Sequence, residues 1–174
     1  MFMTKENTTQ KEELTKLYKK IKAIYGYIPP QMKFLGDIDA LYLQEFLTSI
    51  IRIAKHPHID FDFFAFLRLY MAYKEAYIYC KEFNTKMLIS RGYDTTTLKN
   101  STKDITLIPL DTRHKALGEF AIKSMYNPQK CTQKDLDNLY DMGWLQKDVF
   151  DAVEHAGTLL RNGRILDTYL KKDL

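Results

Sequence analysis

Residues 61–92 read FDFFAFLRLYMAYKEAYIYCKEFNTKMLISRG, and the way this stretch divides decides the fold. Its apolar residues recur at helical spacing, without the strict alternation of a half-buried strand. At about thirty residues it is longer than an ordinary globular helix. The run Tyr77-Ile78-Tyr79 lowers helix propensity, which places a break between Ala76 and Tyr79. Asp60 or Asp62 then opens the first helix, and Gly92 closes the second. Asp62, Arg68, Lys74 and Glu75 interrupt the apolar run, so it does not read as a membrane span.

The same period continues on both sides. Upstream, Thr9-Gln-Lys-Glu12 is a capping box. Leu14, Leu17, Tyr18, Ile21, Ile24 and Tyr25 follow as one stripe, which predicts a helix over 9–25 ended by Gly26. Pro29-Pro30 starts a short helix, and Asp37 or Asp39 caps another running through Leu43, Phe46, Leu47, Ile50 and Ile51 to Ala54. Downstream, Tyr93 to Leu110 carries turn chemistry, with Ile105 to Leu110 able to run extended. Asp111 caps a helix broken by Pro128, and Thr132-Gln-Lys-Asp135 starts one closed by Gly143. The final helix spans 147–170, with Lys171 and Lys172 at its C-terminus, where the helix dipole favours cations. The expectation is an all-α, single-domain bundle over 1–174.

Composition narrows the function classes. Lys plus Arg number 26 against 22 Asp plus Glu, a formal charge of +4 in 174 residues. Twenty of those cations are Lys and six are Arg, scattered along the chain. Nucleic-acid recognition favours clustered cations with Arg placed on base edges, so that partner is not expected. Met1-Phe-Met-Thr-Lys-Glu6 has no apolar signal core, and with two cysteines there is no disulfide framework. A cytoplasmic protein with reduced thiols and no membrane association is the expectation.

Few residues carry chemistry. His56 and His58 flank Pro57 and point oppositely if extended, while His114 and His155 sit singly on helices. None of them makes a ligand pair of the HExxH kind on one helix, so no metal is expected, and no glycine-rich phosphate loop or nucleophile elbow is present. Nothing implies a cofactor. Cys131 reads as exposed and incidental. Cys80 has two readings. At the start of a new helix beside Lys81 its thiolate would be stabilised; otherwise it is a small buried hydrophobe. Tyr70, Tyr73, Tyr77 and Tyr79 could line a pocket, with packing as the alternative.

The segment Tyr77-Ile-Tyr79-Cys80-Lys-Glu-Phe-Asn84 after a long apolar helix resembles the C-x-Y-C-x-x-x-H motif of the AhpD-like family. That family includes alkylhydroperoxidases and carboxymuconolactone decarboxylases. Tyr25-Gly-Tyr-Ile-Pro-Pro30, with Leu35 and Asp39 to Phe46, resembles its first helices. Asp111 to Tyr126, Thr132 to Gly143 and Asn162-Gly-Arg-Ile165 resemble its C-terminal half. The likeness covers residues 24 to 170.

The resemblance implies an all-α fold, a cysteine pair opening a helix, and assembly into homo-oligomers. In the peroxidase branch the second cysteine attacks the peroxide and the first resolves the sulfenic acid, helped by a His and a Glu. Here the second cysteine matches Cys80, with Tyr79 before it. The first cysteine is Tyr77, the His is Asn84 and the Glu is Ala65. Asn84 can hydrogen-bond but cannot act as a base near neutral pH. Two-cysteine alkylhydroperoxidase activity is therefore expected to be lost. The remaining possibilities are a one-cysteine thiol peroxidase using Cys80 with an external thiol reductant, a non-redox small-molecule lyase or binding protein, and a non-catalytic oligomeric scaffold.

Overall fold

Asp39, Asp94, Asp104, Asp111 and Thr132 each place a side-chain oxygen on a backbone N–H just downstream, and these caps fix the starts of five helical elements. The computed structural model describes residues 5–170. Among the described residues the elements are helices, and no strand is present. The chain divides into two compact units, one ending at Lys55 and the other beginning at His56.

The first unit holds α1 (Lys5–Tyr25), α2 (Pro30–Ile38) and α3 (Ala40–Ala54), with α3 packed on the other two. α1 begins before the predicted capping box, so Thr9 lies inside the helix rather than at its start. A favourable start signal was overridden because the preceding residues also take helical backbone. Ile21 is fully buried, whereas Ile24, expected on the same stripe, is 68% exposed. Of the two candidate caps, Asp39 is the one used, accepting from the Leu41 N–H at 2.8 Å.

The second unit holds α4 (Phe61–Lys74), α5 (Ile78–Ser90), α6 (Thr95–Ser101), a 3-10 turn (Ile105–Leu107), α7 (Thr112–Tyr126), a second 3-10 turn (Pro128–Lys130), α8 (Gln133–Asp141) and α9 (Gln146–Leu170). α4 is its centre, packed against α5, α7 and α9. Phe63, Phe64, Ala65, Phe66, Leu67, Leu69, Met71 and Ala72 are all fully buried. From Phe63 to Ala72 only Arg68 and Tyr70 are not fully buried, and a stretch apolar on nearly every side must be covered on nearly every side, which is why this part of α4 runs through the core. The break within residues 61–92 falls where the sequence places it, between Lys74 and Ile78.

The stretch expected to be loop is largely helical. Asp94 accepts from Thr97 N at 2.9 Å and Thr97 Oγ1 at 2.7 Å, so Asp94-Thr-Thr-Thr is a helix cap and not a turn. Ile105 to Leu107 forms a 3-10 turn and not an extended run, with Asp104 bonded to Thr106 N at 2.8 Å. The pattern was missed because α6 has seven residues and too few apolar positions to show a period. Lys171 and Lys172 lie outside the described residues.

Asp111 offers a test of the caps. Its Oδ1 accepts from both the backbone N–H and Nδ1 of buried His114, each at 2.9 Å. Burial pulls the carboxyl pKa up, but the His114 hydrogen bonds and charge outweigh it and hold it below the usual carboxylate range. A lowered folded pKa means the contribution is present above the unfolded value of about 3.9 and disappears as pH falls through the folded one. Asp111→Ala is expected to cost about 1 kcal/mol near neutral pH and Asp111→Asn much less. Urea titration at pH 7 and pH 3 checks this, the wild-type advantage over Asp111→Ala shrinking at the lower pH.

Candidate functional site

The site is built by the elbow between α4 and α5. α4 ends in a Schellman turn, in which Tyr77 N–H reaches the Ala72 carbonyl at 2.9 Å and Ala76 N–H that of Tyr73 at 3.4 Å. The left-handed position belongs to Ala76, with φ at 60°, where glycine is usual. This elbow turns the chain so that Tyr77 precedes α5 and Cys80 falls in the first turn of α5.

Tyr77, at the position of the first cysteine in the resembled motif, is buried. Its hydroxyl donates to the Leu160 carbonyl at 3.3 Å, and its ring lies against the backbone of Gly163 in α9. A Cβ at Gly163 would fall on the ring itself, with Cε2, Cδ2 and Cζ all in its way. Burial and the nearby Glu75 carboxylate raise the Tyr77 phenol pKa, although Arg164 counters them.

Cys80 occupies the helix-start position expected of it, but its thiol is not activated. Burial pushes its pKa up to about 11, Arg68 pulls it part of the way back, and Asp167 adds to the rise. Desolvation of the thiolate outweighs the helix dipole and the cation. At pH 7 the sulfur is held as thiol. Tyr79 beside it is half-buried.

Asn84 is 1% exposed and wholly engaged. Its Nδ2 donates to the Cys80 carbonyl and its Oδ1 accepts from Arg68 Nε, both at 2.8 Å. Arg68 Nη1 donates to His155 Nε2 at 3.1 Å, and His155 sits edge-on to Phe64. One chain of hydrogen bonds thus runs from α5 through α4 to α9. Ala65, at the position of the resembled glutamate, is a fully buried methyl in the core. Arg68 and His155 were not picked out from sequence. Arg68 did leave a signal, as the one charge between Asp62 and Lys74 in an otherwise apolar helix.

The other histidines are gathered too. His56 and His58 do not point apart. His56 Nε2 is 3.2 Å from Asp151 Oδ2, and His58 Nδ1 is 3.0 Å from Asp148 Oδ1, both carboxylates being buried. The acidic partners lie some ninety residues on, beyond any local spacing rule. His56 Nδ1 accepts from the backbone N–H of His58 at 3.2 Å and of Ile59 at 3.0 Å. Its Nε2 therefore carries the proton and has no lone pair for a metal. Lys147 also binds Asp151. This cluster ties the loop before α4 to the start of α9, and Asp148 additionally accepts from Leu145 N at 2.9 Å.

The four tyrosines at and around the elbow differ in exposure. Tyr73 is 47% exposed with Lys81 Nζ 5.0 Å from its ring centre, whereas Tyr77 is buried. Cys131 is half-buried rather than exposed, its Sγ 3.6 Å from Ser124 Oγ. A groove of about 300 Å³ between α7 and α8 is lined by Phe120, Lys123, Asp135, Asn138, Leu139 and Met142 among others. Lys123 and Asp135 pair across it at 2.7 Å.

No helix among the described residues is long and apolar enough to cross a membrane. No protein-family profile matches the chain, and no curated protein matches it. Solved structures do. An uncharacterized peroxidase-related protein from Silicibacter sp. TM1040 superposes with a TM-score of 0.79 at 15% identity, over 90% of this chain and 82% of that one. An alkylhydroperoxidase AhpD core, an uncharacterized peroxidase-related protein from Ralstonia eutropha JMP134, gives 0.78 at 13% identity, over 90% and 83%. Those likenesses fall on the architecture that the motif around Cys80 implies, and the chain has the all-α AhpD-like fold.

Proposed function

We propose that this chain is an AhpD-like family protein that has exchanged the two-cysteine peroxide site for a structural core, and that it acts as a cytoplasmic homo-oligomeric binding protein or scaffold. The observation that carries this reading is the seat of Tyr77 on Gly163. The motif's first sulfur is replaced by a buried ring whose hydroxyl is bonded to the Leu160 carbonyl. The supporting chemistry is consistent: Asn84 is tied to Arg68 and Cys80, and the Cys80 thiol is held protonated at neutral pH. A two-cysteine cycle needs a thiolate to attack the peroxide O–O bond, then a neighbouring thiol to displace water from the sulfenic acid. Neither is provided by these residues. Exposed Leu145 and Phe150 at the start of α9 support contacts with other chains.

The expected result is that tert-butyl hydroperoxide consumption, with dithiothreitol as reductant, is the same for wild type and Cys80→Ser. If wild type turns over and Cys80→Ser abolishes it, the one-cysteine peroxidase with an external thiol reductant takes its place. A lyase or small-molecule binding role would show instead as thermal shifts with lactones or muconate-like acids, and no shift leaves the scaffold.

A further inference from the structure

The apolar stripe of α1 is spent within its own unit. Ile21 is fully buried and Leu17 and Tyr18 are half-buried, so this side of the helix is turned onto its neighbours. What α1 leaves outward is basic. Lys16, Lys19, Lys20 and Lys22 fall within seven residues, and all four are exposed. Lys16, Lys19 and Lys20 stand at i, i+3 and i+4, so they share one face. Ile24 continues the row of Lys16 and Lys20 by one more turn and is exposed, with Tyr27 exposed just beyond it. Lys33, Lys86, Lys123 and Lys147 each hold a carboxylate, whereas none of these four does among the described residues. Glu12 and Glu13 border the row at its N-terminal end, and no acid follows until Asp37, which is bound to Lys33. Like charges one turn apart weaken the helix that carries them, and nothing in the fold offsets that cost here.

We propose that this face of α1 is a docking strip for an acidic segment of a partner protein, its carboxylates meeting Lys16, Lys19 and Lys20 and an apolar residue covering Ile24. The inference rests on the binding-protein reading above and gives that reading a class of partner. Charge complementarity sets the occupant. Lys16 to Ile24 spans about 12 Å of helix, which an extended segment covers with about four residues. A lipid surface fits the strip less well, because the stripe of α1 faces inward and Ile24 and Tyr27 alone offer little to enter a bilayer. Nucleic acid fits less well too, since the row holds no arginine for bidentate or stacking contacts.

The test is fluorescence anisotropy of a fluorescein-labelled peptide, Glu-Asp-Glu-Glu-Ile-Trp, titrated with the full chain. Binding is expected to saturate at about 50 mM salt and to weaken about tenfold or more at about 300 mM, where exposed charges are screened. Lys19→Glu with Lys20→Glu weakens it about tenfold or more, and Ile24→Ser about threefold. Lys99→Glu with Lys103→Glu makes the same charge change on exposed lysines of the second unit and leaves affinity within about twofold. The substituted side chains are all exposed, and circular dichroism is expected to stay native in each variant. No saturable binding by wild type overturns the strip, and so does equal loss in the two double variants, which would mean that only net charge is read. Tighter binding to phosphatidylserine vesicles or to a single-stranded oligonucleotide than to the peptide overturns the choice of partner. An oligomer that Lys19→Glu with Lys20→Glu dissociates in sedimentation overturns it as well, since the occupant is then a second copy. No arm reads peroxide turnover, so the strip and the functional proposal fail separately.

Discussion

Gly163→Ala is expected to destabilise the protein by about 2 kcal/mol, although alanine is the better helix former at that position. In an exposed helix interior the same change would stabilise by up to about 1 kcal/mol. Gly163 is not exposed. A Cβ there meets three carbons of the Tyr77 ring, so the ring must leave or α9 must shift, and overpacking of this kind costs about 1–3 kcal/mol and at times more. For a chain of this length the net loss corresponds to a fall in Tm of about 4–8 °C. The double variant gives the decisive sign. With Tyr77→Ala in place the obstruction is gone, and Gly163→Ala should then stabilise by up to about 1 kcal/mol, reversing its effect in the wild-type background. Denaturant titration of the four proteins measures the coupling, expected near 3 kcal/mol. If Gly163→Ala were neutral or stabilising with Tyr77 present, the ring would not occupy that seat.

This coupling shows what the sequence can and cannot display. The helical period, the Asp39, Asp111 and Thr132 caps, and the break before Ile78 are local signals, and all are where the residues put them. So is the position of Cys80 in the first turn of α5. Its chemistry was not legible, because a thiol's pKa depends on how much water the tertiary structure removes, and burial here outweighs the helix start. Gly163 read only as part of Asn162-Gly-Arg-Ile165, since the reason for a glycine lies on Tyr77, over eighty residues away in sequence. The pairing of His56 and His58 with Asp151 and Asp148 was hidden for the same reason. α6 shows the opposite failure: Asp94-Thr-Thr-Thr was in plain view, but cap chemistry and turn chemistry use the same residues, and the helix is too short for periodicity to decide between them.

Asn84→Leu should be the most damaging change of similar size at the site, costing about 3 kcal/mol and lowering Tm by about 6–12 °C. The side chain is fully enclosed, and leucine keeps the volume while removing both polar groups. Loss of Oδ1 is the larger consequence. Arg68 Nε donates to it at 2.8 Å from a half-buried position on α4, and a charged donor that loses this acceptor carries a heavier desolvation penalty than a neutral one. Loss of Nδ2 matters less, because the Cys80 carbonyl it serves lies in a helix and is within reach of backbone N–H groups. Asn84→Asp separates the two contributions. It keeps an acceptor for Arg68, now charged, and discards only the donor to Cys80, so it should cost less than the leucine variant. The added negative charge would also drive the Cys80 thiol further from ionisation, which slower alkylation at fixed pH would reveal. If Leu and Asp were equally damaging, the Arg68 contact would not be what position 84 supplies, and the hydrogen bond to Cys80 would have to carry the stability instead. Asn84→His bears on the family resemblance. Imidazole would restore the base that the motif has at this position, but Arg68 would face it as a donor and hold its ring nitrogen as an acceptor, as it already does with His155. That substitution is expected to fold and still leave hydroperoxide consumption at the level of Cys80→Ser, because Tyr77 continues to fill the place of the motif's first, resolving sulfur.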